Sequence, residues 1–185
     1  MQAGESSQET LEKDNEILLP KNIARAFGRA LRQSMFYSLQ EIQTSLDRLE
    51  GQPNHQRMKG ALDRISRVLF GLERAREVRL KQNGPGGDFS FSEETEEEEP
   101  KQEEVLTDSN ITPKLISALN HTIKNPLSIV SGFAEGAQSA EAAKNIIDAS
   151  KQIQNVLESF NNAQRIKIST DSKGYTKITP IRDLH

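Results

Sequence analysis

Apolar residues recur at helical spacing in the first half of the chain and predict two helices. The first stripe follows intervals of three or four residues, as one face of an amphipathic helix requires, and consists of Leu31, Met35, Leu39, Ile42, Leu46 and Leu49. The sequence "GQPN" at 51–54 is a turn signal. The next stripe consists of Met58, Ala61, Ile65, Val68, Leu69, Leu72 and Ala75. Two helices joined by a turn this short predict an antiparallel hairpin.

The second half repeats this pattern. Thr112 and Pro113 predict a helix start, with Thr112 as the N-cap and Pro113 as the first helical residue. The stripe that follows consists of Leu115, Leu119, Ile123, Leu127, Val130 and Ala134. After a turn within "GAQSAEAA", the return stripe consists of Ile146, Ala149, Ile153, Val156, Leu157, Phe160 and Ala163. The second half therefore also predicts a helical hairpin.

The two hairpins align without a gap when one is shifted by 88 residues. This shift pairs Phe27 with Leu115 in the first helices and Met58 with Ile146 in the second helices. Agreement across two helices and their turn indicates an internal duplication. One hairpin cannot bury both of its stripes, but two can bury them against each other. We therefore expect an all-α fold, in which the two hairpins form a pseudo-symmetric four-helix bundle. The bundle is expected to close within one chain, which would make the protein a monomer, and closure between two chains stays open as the alternative.

Charge divides the chain more sharply than its net charge of −3 suggests. Residues 21–82, the first hairpin, carry thirteen Lys or Arg against six acids, whereas residues 83–110 carry ten acids against one lysine. We expect residues 83–110 to be a flexible acidic linker, acting as a solvated tether or contacting the basic first half. Residues 1–20 are expected to be disordered, 111–169 to form the second hairpin, and 170–185 to be a tail.

Composition also limits the class of protein. The chain has no cysteine, which excludes disulfides and thiolate metal sites. The polar, acidic start "MQAGESSQETLEKDNE" does not resemble a signal peptide, and no apolar run approaches the roughly 20 residues of a membrane span. We expect a soluble cytoplasmic protein.

One of the three histidines lies where a helix is expected to be solvent-exposed. At helical spacing, His121 shares a polar stripe with Ser117, Lys124, Asn125 and Ser128, which argues against burial of the imidazole. Pro126 removes the backbone hydrogen bond to the Thr122 carbonyl and is expected to bend the helix beside the histidine. The other two histidines, His55 and His185, are expected to lie on the surface.

The sequence "HTIKNPLSIVSGFAE" resembles the H-box of the histidine-kinase dimerisation and phosphoacceptor domain. His121, Lys124, Asn125, Pro126 and Leu127 match that motif position by position. The resemblance covers residues 112–168, and 22–80 more loosely through the duplication. It implies that His121 accepts a phosphoryl group and that Asn125 stands where the family orients water for dephosphorylation. Lys124, one turn beyond His121, is expected near the phosphoryl oxygens or in solvent.

The chain also departs from that family. Thr122 stands where family kinases usually carry an acid, and the first repeat has Gln33 and Ser38 in place of His121 and Pro126. No glycine-rich lid follows "NNA" at 161–163, so no ATP-dependent autokinase activity is expected. The protein needs no cofactor of its own, and Mg²⁺ is expected only if a receiver domain supplies it.

The resemblance predicts a histidine phosphotransfer protein of a two-component phosphorelay. Its partners would be a response-regulator receiver domain, a histidine kinase, or both. The alternative is a non-catalytic adaptor that mimics the kinase docking surface and binds either partner. The basic residues of the second predicted helix raise nucleic-acid binding as a third class, but no recognition-helix motif or interleaved aromatic set supports it.

Overall fold

Each half of the chain contains a strand, two antiparallel helices and two further strands, in that order. The computed structural model describes residues 16–83, 86–92 and 101–182, without the side chains of residues 82 and 83. The elements of the first half are β1 (Glu16–Leu19), α1 (Lys21–Asp47), α2 (His55–Arg74), β2 (Val78–Asn83) and β3 (Gly86–Phe91). Those of the second half are β4 (Glu103–Leu106), α3 (Thr112–Leu119), a π-helical turn (Asn120–Lys124), α4 (Asn125–Ala134), α5 (Ala140–Ser159), β5 (Arg165–Thr170) and β6 (Thr176–Ile181).

The strands form two antiparallel sheets with the same internal order. The first sheet runs β1-β2-β3 and the second runs β4-β5-β6, so the second strand is central in both. Leu80 of β2 pairs with Phe89 of β3, and Val105 of β4 pairs with Ile168 of β5. All four side chains belong to the buried apolar core, so each sheet packs one face against the helices. The strand positions agree with the 88-residue shift to within two residues.

The prediction of an all-α four-helix bundle is wrong, because the described residues also form these two three-stranded sheets. Strand β1 lies within the predicted disordered segment 1–20, β3 and β4 lie within the predicted linker 83–110, and β6 lies within the predicted tail 170–185. Strands β2 and β5 lie at the C-terminal ends of the segments 21–82 and 111–169, which were predicted as helical hairpins. The strands are four to six residues long, so helical periodicity could not reveal them. Period-two alternation was present in Val78 and Leu80 and in Ile166 and Ile168, all of which are buried. The glutamate run at 93–100 lies outside the described residues.

The helices of the two halves pack against one another. Helix α1 contacts α2 and α5, and helix α4 contacts the same two helices. Leu31, Met35 and Ile42 of α1 are fully buried, as are Ile123 of the π-helical turn and Val130 of α4. These side chains belong to one continuous core cluster, so each hairpin buries its stripe against the other. In the described part of the chain, no helix is long and apolar enough to cross a membrane.

The start of α3 differs from the prediction. Thr112 is the first helical residue, and Ile111 occupies the N-cap position without a side-chain cap. The Thr112 hydroxyl is buried and donates to the Asp108 carbonyl at 2.7 Å, while lying 2.7 Å from the Thr107 hydroxyl. The Thr107 hydroxyl in turn accepts from the Ile166 backbone amide at 2.7 Å. Thr112 therefore helps to connect α3 to the second sheet.

Helices α1 and α2 approach each other closely at Gly28. A Cβ atom built there would lie 2.6 Å from the Glu73 backbone nitrogen, whereas one built on Gly60 of α2 would meet nothing within 4 Å. We expect Gly28→Ala to lower the free energy of unfolding by about 1–3 kcal/mol, because the helices must move apart. Gly60→Ala, the matched control, should raise it by about 0.5–1 kcal/mol through helix propensity. Urea denaturation of both variants tests this, and stabilisation by both would contradict the close approach.

Candidate functional site

His121 lies at the edge of a cleft formed by both halves of the chain. The cleft has a volume of about 1080 Å³. Its walls come from β3 of the first half, from α3 and the π-helical turn, and from the turn after α5. The lining residues are Gly86, Ser109, Pro113, Ile116, Ser117, Asn120, His121, Lys124, Asn125, Asn161, Asn162, Ala163 and Gln164. The structure therefore brings His121, Lys124 and Asn125 together in one cleft.

His121 lies in a π-helical turn that interrupts the α-helix. Residues Asn120–Lys124 form a π-helical turn within an otherwise continuous helix, and Pro126 follows two residues later. Proline has no N–H to donate to the carbonyl four residues earlier, and its ring crowds that carbonyl. A wider π-helical turn relieves this crowding, and such turns occur frequently at functional sites. Ile123 in the same turn is fully buried while His121 is exposed, so the turn still separates a core face from a solvent face.

The backbone of the first repeat supports the imidazole from one side. A Cβ atom built on Gly86 would lie 2.8 Å from Cδ2 and 3.0 Å from Cγ of His121. Only a glycine lets β3 approach the ring this closely without displacing it. The next residue, Gly87, lies in the same way against Ala118 of α3. The strand thus limits the positions that the exposed imidazole can adopt.

The neighbouring side chains of the H-box make separate contacts. The Lys124 ammonium lies 3.5 Å from a carboxylate oxygen of Glu158 on α5, and both side chains are about half exposed. Such an exposed pair contributes about 0–1 kcal/mol, so the lysine is easily redirected toward an anion. The Thr122 hydroxyl donates to the Ala118 carbonyl at 2.7 Å and is occupied within the helix. It therefore offers no base beside His121.

The chemistry of the cleft suits an anion. Its described lining residues include Lys124 and five side-chain amides, but no Asp or Glu. Amide and ammonium groups donate hydrogen bonds to phosphoryl oxygens, whereas Mg²⁺ prefers carboxylate ligands. In the described part of the chain, no group of three or more His, Cys, Asp or Glu side chains is arranged to hold a metal ion.

Gln33, which aligns with His121, has a different role. Its side-chain amide donates to the Gly174 carbonyl at 2.8 Å and accepts from the Thr176 backbone amide at 2.9 Å. The Thr176 hydroxyl donates to the same oxygen at 2.7 Å. Gln33 thus fastens the β5–β6 hairpin of the second repeat to α1 of the first. At the aligned position, His121 meets Gly86, which itself aligns with Gly174.

Two residues that line the cleft, Gly86 and Ser109, lie in the segment 83–110 that the sequence predicts as a linker. The 88-residue shift aligns Gly86 with Gly174, which is a signal in the sequence for a repeated strand connection. The turn at 161–164 lines the cleft and includes the "NNA" sequence. His55 was expected on the surface but is only 6% exposed at the start of α2. His185 lies outside the described residues.

Comparison of the chain with family models, with curated proteins and with solved structures found no match.

The contact between Gly86 and His121 predicts a spectroscopic effect. In Gly86→Ala, the added methyl group would meet the imidazole of His121. We expect it to displace the ring and so shift the ring ¹H–¹³C signals of His121. Gly132→Ala is the matched control, since a Cβ atom there meets nothing within 4 Å. The His121 signals are assigned by their loss in His121→Gln. Unchanged ring signals in Gly86→Ala would contradict the contact.

Proposed function

We propose that this protein is a histidine phosphotransfer protein that exchanges a phosphoryl group between His121 and the aspartate of a receiver domain. The observation that carries the proposal is an exposed imidazole beside a lysine and several amides, in a cleft whose described lining residues include no carboxylate. A neutral imidazole is a nucleophile near neutral pH, and this cleft would not repel an incoming phosphoryl group. We further propose that the protein acts in the cytoplasm.

In the proposed transfer, one ring nitrogen of neutral His121 attacks the phosphorus of a phospho-aspartate. A nitrogen–phosphorus bond forms as the phosphorus–oxygen bond breaks, and the aspartate leaves as a carboxylate with the bonding electron pair. The second ring nitrogen keeps its proton. Phosphoryl transfer depends mainly on alignment and charge stabilisation, so the support of the ring by Gly86 and the position of Lys124 are the main contributions of this chain.

The surrounding residues have distinct proposed roles. Lys124 leaves its exposed partner Glu158 and contacts the phosphoryl oxygens, which stabilises their charge. Asn125 lies on the same cleft wall and orients water for dephosphorylation of the receiver. The receiver brings Mg²⁺, since this cleft has no carboxylate among its described lining residues. ATP-dependent autophosphorylation is not part of the proposal.

The second candidate is an adaptor that docks a receiver or a kinase without transfer. The observation that favours it is the Thr122 hydroxyl, which donates to the Ala118 carbonyl and stands in place of the acidic side chain that family kinases usually carry directly after the histidine. The two candidates predict the same binding surface and differ only in whether phosphate appears on this chain.

Labelling by charged receivers separates the candidates. The protein is incubated with a panel of receiver domains phosphorylated with acetyl phosphate and with phosphorylated histidine kinases. We expect acid-labile, alkali-stable phosphate on the wild type and a loss of more than about 100-fold in His121→Gln, because glutamine has no nucleophilic nitrogen. Helicity by circular dichroism should be unchanged, since His121 is exposed.

Gln33→Ala is the matched control at the aligned position and should label as the wild type does, with a small loss of stability. Labelling that persists in His121→Gln would reject His121 as the acceptor. Stable binding of a partner without any labelling would favour the adaptor.

A further inference from the structure

The two repeats differ chemically at positions near His121 and at the aligned positions near Gln33. In the second repeat, Lys124 and Glu158 form an ion pair between neighbouring helices. The residues 88 positions earlier are Phe36 of α1 and Phe70 of α2. These phenylalanines are 51% and 39% exposed, and Tyr37 beside them is 80% exposed. The first repeat therefore presents aromatic side chains where the second presents a polar pair.

The aromatic side chains border a groove between α1 and α2. The groove has a volume of about 270 Å³, and its apolar lining includes Leu39, Leu62 and Leu69 as well as Phe36 and Phe70. Leu62 aligns with Ser150, so the lining also becomes more apolar in the first repeat. Exposed aromatic groups around an apolar groove are typical of protein-binding surfaces, where they act as anchors.

Charge indicates what kind of partner fits. Residues 21–74 of the first hairpin carry ten Lys or Arg against five acids, whereas the aligned residues 109–162 carry four of each. At the groove itself, the guanidinium group of Arg32 lies 5.6 Å from the ring centroid of Phe70 and is ion-paired with Glu73 at 2.6 Å. Arg74 lies 5.2 Å from the same ring centroid, outside the lining of the groove. The apolar groove thus lies in a hairpin with an excess of basic residues, which complements an acidic occupant.

The same charge argues against a second copy of this chain. A two-fold contact through the groove would bring the same basic hairpin of both copies together, and like charges repel at such an interface. The groove lies between two antiparallel helices, a shape that commonly receives the apolar face of a third helix. Leucine side chains of an incoming helix would fill it between Phe36 and Phe70.

We propose that the groove between α1 and α2 of the first repeat binds an acidic amphipathic helix of a partner protein. Apolar side chains at helical spacing enter between Phe36 and Phe70, and acidic side chains face the surrounding surface of the basic hairpin. This site is separate from the His121 cleft and does not depend on phosphotransfer.

A peptide pair tests the proposal. The probe is a fluorescein-labelled amphipathic helical peptide of about 20 residues, with leucine on one face and glutamate elsewhere. Its partner probe replaces every glutamate with lysine. Fluorescence anisotropy should show that the glutamate peptide binds at least about tenfold more tightly than the lysine peptide. The affinity for the glutamate peptide should fall as salt is added.

The double variant Phe36→Lys/Phe70→Glu installs the residue pair of the second repeat and should weaken glutamate-peptide binding at least about tenfold. Leu18→Ser, which changes an exposed leucine of β1, is the control and should bind as the wild type does. His121→Gln should also leave peptide binding unchanged, which separates this proposal from the phosphotransfer proposal. Circular dichroism verifies folding, and Phe70→Gln alone replaces the double variant if that variant unfolds.

Equal binding by wild type and the folded groove variant would overturn the proposal, as would equal binding of the two peptides. Two further results would assign the groove to another occupant. The first is that the wild type binds labelled single-stranded DNA but not the glutamate peptide, and that the groove substitutions abolish the DNA binding. The other is a wild-type dimer, seen by sedimentation, that these substitutions convert to a monomer.

Discussion

The structure depends on the burial of one helical hairpin by the other. The apolar stripes of each hairpin are buried between its own two helices and, across the halves, where α1 packs against α5 and α2 packs against α4. Fully burying a leucine or methionine side chain such as Leu31 or Met35 contributes about 1.5–3 kcal/mol, so exposure of either stripe would remove most of the apolar stabilisation. The two halves therefore fold as one core, and the position of every site residue follows from that packing.

The strands add further contacts between the two halves of the chain. Strand β3 of the first half lies against α3 and the π-helical turn of the second, and β6 of the second half lies against α1 of the first. At aligned positions, the first contact holds Gly86 under His121 and the second binds Gln33 to Gly174 and Thr176. The same architecture thus holds the exposed imidazole of His121 in one repeat and the hydrogen-bonded amide of Gln33 in the other. Aligned positions of the two repeats therefore make different contacts.

The candidate site was only partly predictable. Helical spacing identified the polar stripe of His121, Lys124 and Asn125, because those residues lie on one continuous helix and spacing determines which side they share. The opposite walls of the cleft, Gly86 and the turn at 161–164, come from segments far apart in sequence. The turn signal before α2 also led to a wrong prediction for His55, which was expected on the surface but is buried at the start of that helix. Residues joined only by tertiary packing leave no local pattern from which to infer their contact.

By itself, the sequence determined the helices, their pairing into hairpins and the repeat of the hairpin pattern in both halves, because amphipathic periodicity reports directly which side of a helix is buried. It also determined the charge difference between the hairpins. Only the tertiary structure decided that short strands complete each repeat and that the strands of one repeat pack against the first helix of the other. Those strands are stabilised by backbone pairing and by burial against helices distant in sequence, and neither interaction is encoded within a segment of four to six residues.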